Sequence, residues 1–170
     1  GSEAVAQTMK LAGVPEGTVF RMNETYSDEQ WRSLFEASCR VLGVDAVAAE
    51  HQFAQVFLRF ALERFPKWFE MCGTAREFLE LQPLIHNSFA TGLADPRARR
   101  DVIDKFHIET APEQIVVHYC SPNQMCGLYM ALAQLVIQHY KDVATIRESS
   151  CMRRGDDKCV ITVHWFGKDA

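Results

Sequence analysis

The sequence predicts an α+β fold in which a helical block is followed by an antiparallel β-β-α-β-β unit. Apolar residues recur at helical spacing between capping residues over the first two-thirds of the chain. From Phe106 the pattern changes to strand-like segments rich in Ile and Val, and a hairpin turn lies near the C-terminus. We expect one domain over residues 1–170, mainly helical over 1–104 and β-β-α-β-β over 105–170.

The composition excludes several classes of protein. The chain has 170 residues, 48% of them hydrophobic, which is typical of a globular domain rather than a disordered or fibrous one. Its 18 basic and 22 acidic residues give a net charge of -4, so we expect no nucleic-acid partner. No apolar run approaches the roughly 20 residues that span a bilayer, so we expect no membrane insertion. Six scattered cysteines favour a reducing, cytoplasmic location.

Capping residues delimit the predicted helices. A short helix over 3–12 ends at Gly13, and Ser27 with Gln30 forms a capping box for a helix that ends at Gly43. Asp45 caps a third helix, which runs to about Phe65. Shorter helices follow from Pro66 to Met71 and from Thr74 to about Leu81, the second running into a segment around His86. The charged stretch from Gly92 to Lys105 is predicted to be a linker.

The C-terminal third predicts four strands around one helix. Strands are expected at Phe106–Glu109 and Ile115–Ser121, then a helix over Met125–Tyr140. Two further strands, Val143–Met152 and Lys158–Phe166, flank the turn sequence Arg154-Gly155-Asp156-Asp157.

Three groups of residues have the chemistry of a binding site. His86 lies in an apolar helical segment, where a neutral imidazole is either a heme-iron ligand or an ordinary core histidine. Tyr119 and Ser121 alternate at a strand end and point to one face, where two hydroxyls can hold a carboxylate or phosphate. The alternative is an ordinary polar strand edge.

Cys126, Cys151 and Cys159 form the third group. A five-residue hairpin loop places the last two directly opposite each other, and Cys126 at the start of the intervening helix can add a third thiolate. Three thiolates and one further donor are a usual tetrahedral zinc shell, with Glu148, His118 or His164 as fourth ligand. Free buried thiols or a 151–159 disulfide are the alternatives. No enzyme motif is present, so we expect no catalytic activity.

Together these residues resemble the heme-nitric oxide/oxygen binding (H-NOX) domains, the sensor domains of soluble guanylate cyclases and bacterial signalling proteins. The order of elements, His86 ahead of the first strand and the Tyr119-x-Ser121-x-Asn123 sequence all match over about residues 3–166. The resemblance implies heme b with His86 as iron ligand, and a Y-x-S-x-R motif that holds the heme propionates. It also implies zinc at Cys126, Cys151 and Cys159.

Two departures from the family pattern stand out. Asn123 replaces the motif's arginine and offers neither its charge nor its two-pronged donor. The chain also begins at what resembles the family's second helix, so we expect the first helix, which covers the distal heme face, to be missing.

The resemblance implies a domain that senses gas and regulates a histidine kinase or cyclic-nucleotide enzyme. Oxygen binders of the family carry a tyrosine nine residues after the motif tyrosine, where this chain has Leu128. We therefore expect binding of nitric oxide and carbon monoxide without a stable oxygen complex. The alternative is a heme-free relative that serves as a protein-interaction or small-ligand module, with zinc as its metal.

Overall fold

The computed structural model of the chain describes residues 1–21, 24, 26–93 and 95–166, without the side chains of 98 and 101. Residue 94 of the predicted linker and residues 167–170 of the predicted domain therefore lie outside the described residues. The described part contains eight α-helices and four strands, and it confirms the predicted α+β class. None of its helices has both the length and the apolar character needed to cross a membrane.

Seven helices precede the sheet. They are α1 Ser2–Leu11, α2 Asp28–Leu42, α3 Ala46–Arg64, α4 Pro66–Glu70, α5 Ala75–Glu80, α6 Gln82–Ala90 and α7 Pro96–Ile103. The predicted caps are present: Ser27 Oγ, Asp45 Oδ1 and Thr74 Oγ1 accept hydrogen bonds from backbone N–H groups at the starts of α2, α3 and α5.

The predicted linker from Gly92 to Lys105 is wrong over most of its length, because α7 occupies it. Asp95 Oδ1 accepts from the Arg97 backbone N–H at 2.9 Å, and Pro96 fills the first helical position. An aspartate cap followed by proline is a helix-start signal, since proline lacks the N–H that has no partner there. The many charged residues of this stretch led to the prediction of a linker instead of a helix.

The sheet has the order β1-β2-β4-β3, with every neighbouring pair antiparallel. Its strands are β1 Phe106–Ala111, β2 Gln114–Tyr119, β3 Ala144–Ser150 and β4 Cys159–Trp165. Helix α8, Cys126–Tyr140, connects β2 to β3 and packs on α3 and α5. Alternate side chains of β2 and β4 are buried, including Ile115, Val117, Ile161 and Val163, and they form the core with α8 and α5.

The last hairpin turns through a short 3-10 segment, Met152–Arg154, followed by Gly155 at φ +94°. Glycine adopts this left-handed conformation without steric cost. Asp156 Oδ2 then accepts from the Cys151 N–H at 2.6 Å and holds the turn closed. The pairing of Ser150 with Val160 is the register that the five-residue loop predicts.

Candidate functional site

A cavity of about 380 Å³ lies between the helical block and the sheet. This volume is within the range of about 300–1,000 Å³ usual for small-molecule sites. Its walls are mainly aromatic, from Trp31, Phe53, Phe57, Phe65, Trp68, Phe69, Phe78, Phe89 and Phe106. The cavity accounts for the large number of phenylalanines in the sequence.

His86, Tyr119, Ser121 and Asn123 all line this one cavity. The structure therefore brings together residues that α6 and the end of β2 supply from distant parts of the chain. Antiparallel pairing of Phe106 with Tyr119 places the start of β1 beside the end of β2. The ring centroids of His86 and Phe106 are 4.8 Å apart, and those of Phe106 and Tyr119 are 5.2 Å apart.

His86 is half-buried and neutral at physiological pH. Burial lowers its pKa from 6.5 to about 4, with a smaller contribution from the nearby positive charge of Lys105. Within the described part of the chain, neither ring nitrogen has a hydrogen-bond partner. An imidazole with an uncommitted lone pair on a cavity wall is able to bind a metal ion.

Tyr119 and Ser121 are almost fully buried, with 4% and 1% of their surfaces exposed. The Tyr119 hydroxyl accepts from the Met125 N–H at 3.0 Å, and it keeps its own proton for donation. Burial raises the pKa of Tyr119, so the hydroxyl stays protonated. The Ser121 Oγ accepts weakly from the Asn123 N–H at 3.4 Å. Both hydroxyls are therefore able to donate a hydrogen bond to a ligand in the cavity.

Asn123 has an unmet hydrogen-bonding capacity. Its Oδ1 is buried and lacks a partner among the described residues, which is uncommon for buried polar atoms. A half-turn of the carboxamide exchanges this oxygen with the NH2 group, which donates two hydrogen bonds. Asn123 is thus able to donate hydrogen bonds to an acceptor group of a ligand, but it carries no charge.

Tyr129, next to Leu128 on α8, is a further cavity residue. Its hydroxyl is buried without a partner among the described residues, and burial raises its pKa above the usual range. Its ring centroid lies 5.4 Å from that of Phe106, so the two rings pack together on the cavity wall. Leu128, the position of interest in the sequence, also lines the cavity.

A second cluster lies behind the cavity at the last hairpin. One ligand atom from each of Cys126, Glu148, Cys151 and Cys159 lies within 4.8 Å of the others. The Cys126 and Cys151 sulfurs are 3.6 Å apart, close to the roughly 3.8 Å that tetrahedral geometry gives for Zn–S bonds of about 2.3 Å. All six cysteines are free thiols. The four residues together offer a donor set that could hold a metal ion.

Glu148 is the fourth member that the structure selects from the three predicted alternatives. Its Oε1 is buried and without a partner in the described part of the chain. His118 and His164 lie instead beside glutamates on the sheet, 2.9 Å from Glu109 and 3.7 Å from Glu113. A buried carboxylate oxygen with a free lone pair is suited to metal binding.

Two arginines provide positive charge around the cluster. Arg154 donates to Glu148 Oε2 at 2.9 Å, and Arg153 lies close enough to Cys126 and Cys151 for charge interactions. Three thiolates and a carboxylate around a divalent ion leave a net charge of about −2, which Arg154, together with Arg153 that is shared with Glu50, offsets in part. Without a metal, burial raises the pKa values of Cys126 and Cys159, so these thiols hold their protons.

The cavity and the cluster share one segment of backbone. Tyr119 pairs with Cys159 across β2 and β4, and the Met125 N–H that binds the Tyr119 hydroxyl directly precedes Cys126. Arg153 Nε donates to the Gln124 carbonyl at 2.8 Å, and its guanidinium also pairs with buried Glu50 on α3. The hairpin is thereby tied to the helical block.

Comparison with known proteins identifies the family. The family model described as haem-NO-binding (HNOB) matches residues 1–148, so the chain belongs to the haem-NO-binding family. The family, which includes the H-NOX domains, consists of heme-based gas sensor domains. This confirms the resemblance read from the sequence. The comparison with curated protein sequences found no match to this chain.

Solved structures support the fold. An H-NOX protein from S. oneidensis in the Fe(II)NO ligation state superposes with a TM-score of 0.79 at 18% identity, over 98% of this chain and 91% of that one. An oxygen-binding H-NOX domain related to soluble guanylate cyclases gives 0.74 at 16%, over 98% and 87%. A mutant H-NOX protein from K. algicida gives 0.74 at 15%, over 99% and 89%.

The cavity fits the group that the family binds. Heme is a flat apolar macrocycle with a central iron and two carboxylates, and it needs apolar walls, an iron ligand and donors at one edge. The aromatic walls, the neutral His86 and the hydroxyls of Tyr119 and Ser121 are these three features. The buried, unpartnered Asn123 side chain is consistent with a polar group on the ligand at this edge.

Proposed function

We propose that this chain is a heme-dependent sensor of nitric oxide that regulates a signalling partner. The observation that carries the proposal is the convergence of His86, Tyr119, Ser121 and Asn123 on one aromatic cavity. His86 would hold the iron through a ring nitrogen, because its low pKa keeps the imidazole unprotonated. Tyr119 and Ser121 would donate hydrogen bonds to the heme carboxylates.

Heme, when bound, supplies an iron atom to which diatomic gases bind. The side chains of the cavity then decide which gas complex is stable. Leu128 has no hydrogen-bond donor, and a bound dioxygen carries partial negative charge that needs one, whereas nitric oxide does not. This supports selectivity for nitric oxide and carbon monoxide.

Tyr129 carries a buried hydroxyl on the cavity wall that has no hydrogen-bond partner among the described residues, and this donor could weaken the selectivity. Its ring packs against Phe106, and the same ring of Phe106 packs against His86. The Tyr129→Phe substitution therefore separates the contribution of this hydroxyl from that of Leu128.

The route of signalling would begin at α6. Helix α6 carries His86 and packs on α7 and on β1. A displacement of the His86 imidazole moves α6 as a unit, because a helix transmits small shifts along its length. We infer that the surface of α6 and α7 reports the state of the cavity to a histidine kinase or a cyclic-nucleotide enzyme.

Gas selectivity is tested by absorption spectroscopy of the heme-loaded protein. We expect shifts of the Soret band with nitric oxide and with carbon monoxide, and no stable oxygen complex in air. Leu128→Tyr should introduce a donor and prolong any oxygen complex, whereas Tyr129→Phe should change little. A long-lived oxygen spectrum that Tyr129→Phe abolishes would contradict the selectivity that we propose.

Partner regulation needs its own test. The activity of a histidine kinase or cyclic-nucleotide enzyme from the same source should differ between nitric oxide-bound and gas-free protein at equal concentration. His86→Ala, which removes the iron ligand, should abolish this difference. Equal activity in the two states would contradict the regulatory part of the proposal.

We also propose that Cys126, Cys151, Cys159 and Glu148 hold a structural zinc ion. The support is their convergence within 4.8 Å, the unpartnered Glu148 oxygen and the two arginines that offset the charge. The site requires reduced thiols, which is consistent with a cytoplasmic location. Elemental analysis after gel filtration should give about one zinc per chain, and a value well below one would contradict the proposal.

A further inference from the structure

The cavity wall has an uncompensated positive charge. Among the described residues that line it, Lys105 is the only lysine or arginine, and none is an aspartate or glutamate. His86 on the same wall is neutral, because burial and the Lys105 charge lower its pKa to about 4. A positive charge on an otherwise apolar wall favours a ligand that carries negative charge.

Backbone pairing places Lys105 beside the hydroxyl pair. The Cys120 N–H donates to the Lys105 carbonyl at 3.1 Å, which extends the pairing of Phe106 with Tyr119 by one residue. Cys120 lies between Tyr119 and Ser121, so the backbone of Lys105 lies beside both donors, and Lys105 lines the same cavity as they do. Its side chain is half-buried, and no carboxylate of the described residues forms an ion pair with it.

The other cations near this edge are less suited to bind a ligand in the cavity. Arg153 is held by Glu50 and by the Gln124 carbonyl. Arg32 is exposed and lines an adjoining, smaller cavity of about 180 Å³ that shares Asn123 with the first, as does Arg153. Lys105 alone among the three contributes to the wall that also contains Tyr119 and Ser121.

We propose that Lys105 binds a heme carboxylate and supplies the positive charge that Asn123 lacks. This inference rests on the proposed function, since it assigns a residue to the ligand of that site. The neutral donors Tyr119, Ser121 and Asn123 orient the carboxylates, and the lysine ammonium offsets their negative charge. Charge-assisted hydrogen bonds are roughly twice as strong as neutral ones. The lysine would reach the site from the turn before β1, whereas an arginine of the family motif would reach it from the loop after β2.

The test compares hemin with hemin dimethyl ester, whose carboxylates are esterified and uncharged. Both are titrated into the wild type, Lys105→Met, Lys105→Arg and Lys67→Met, with the Soret band as readout. Lys67→Met is the matched control, because it removes the same charge from an exposed helix residue outside the cavity. Thermal unfolding of each variant without heme checks that the fold is unchanged.

Lys105→Met should weaken hemin binding about tenfold, the usual consequence of losing one charge-assisted contact. Lys105→Arg should stay within about threefold of the wild type, and Lys67→Met should have no effect. With the dimethyl ester, the wild type and Lys105→Met should bind equally. Equal loss for hemin and its ester, or no loss for either, would overturn the role of Lys105.

His86→Ala separates this result from the proposed function. If His86→Ala abolishes the Soret shift while Lys105→Met binds hemin like the wild type, the heme site stands and the lysine assignment is wrong. If the wild type itself gives no Soret shift with hemin, both the heme function and the role of Lys105 are overturned.

Discussion

The cavity and the thiol cluster adjoin at the segment from Tyr119 to Cys126, yet they are built on opposite principles. The cavity takes its walls from residues between Trp31 and Val136, most of them apolar, and its hydroxyl and imidazole groups are neutral. The cluster draws four ligands from one helix start and one hairpin, and charged groups surround it. The first site depends on packing and the second on coordination.

This difference determines how each site responds to change. A cavity with many lining residues loses little when one contact is removed, because the remaining walls still exclude water. A four-ligand site with its donor atoms already within 4.8 Å fails when one donor is lost. Substitutions in the cluster should therefore have larger effects on stability than polar substitutions in the cavity.

The largest effect is expected for Cys159→Ser, at a position with no exposed surface. Zinc content should fall well below one per chain, and the free energy of unfolding should fall by about 4 kcal/mol when free zinc exceeds the Kd about a thousandfold. Cys120→Ser is the matched control, because Cys120 is exposed and outside the cluster. Unchanged zinc content and melting temperature in Cys159→Ser would contradict the prediction that the cluster is more sensitive to substitution than the cavity.

Glu50→Gln tests the ion pair that ties the hairpin to the helical block. Glu50 has 1% of its surface exposed, and its loss leaves the Arg153 charge without its partner. We expect a loss of about 3 kcal/mol in urea unfolding, at the low end for a buried pair because Arg153 retains some solvent contact. Glu36→Gln, in the exposed pair with Arg40, should cost less than about 0.5 kcal/mol. Similar losses of unfolding free energy in Glu50→Gln and Glu36→Gln would show that burial of the ion pair does not determine its contribution to stability.

The Glu50–Arg153 ion pair leaves no room for a side chain at Gly127 on the facing helix α8. A Cβ at position 127 would overlap the Glu50 carboxylate, so α8 can approach α3 closely only without a side chain there. Gly127→Ala should therefore be destabilising in the wild type and less so in a Glu50→Ala background. If the loss of stability in the double variant equalled the sum of the losses in the two single variants, this steric coupling would be contradicted.

His86 should make the heme-free protein sensitive to acid. The folded-state pKa of about 4 lies below the ordinary value of 6.5, so the unfolded chain binds the proton first as the pH falls. The penalty is absent above pH 6.5, grows between 6.5 and 4, and is constant below 4. The wild type should lose about 2 kcal/mol more than His86→Gln between pH 7 and pH 5 in urea unfolding. Equal pH dependence in the two proteins would show that the imidazole is not buried as described.

The smallest effect is expected where a cavity wall loses a single hydrogen bond. The Tyr140 hydroxyl donates to the Phe69 carbonyl at 2.8 Å and joins the end of α8 to α4. Tyr140→Phe should lower the free energy of unfolding by about 1 kcal/mol. A loss as large as that of Cys159→Ser would mean that the cavity is as sensitive as the cluster.

Local signals in the sequence were sufficient for most elements of the fold. Capping residues located α2, α3 and α5, and the alternation of β-branched residues located the strands. Helix α7 was missed, because it is only eight residues long and rich in charge, so the Asp95-Pro96 start signal was the main one that remained. The convergence of His86 and Tyr119 could not follow from spacing, since it depends on how α6 packs against β1.

The polar residues of the sites were predictable to different degrees. The hairpin register placed Cys151 near Cys159, and residue spacing offered Glu148 as one of three fourth ligands. The roles of Tyr129 and Lys105 depend on tertiary packing, which no local pattern encodes. Glu50 and Arg153 are more than 100 residues apart, and their pairing likewise emerges only in the folded chain.

The most direct test of the central claim is rescue of an iron ligand. His86→Gly removes the imidazole and leaves space on the cavity wall for an added one. Hemin titrations of the wild type and this variant, with and without imidazole, are followed at the Soret band. We expect the variant to lose the wild-type spectrum and to regain it when imidazole is added. The same spectrum and affinity in His86→Gly without imidazole would contradict the assignment of His86 as the heme ligand.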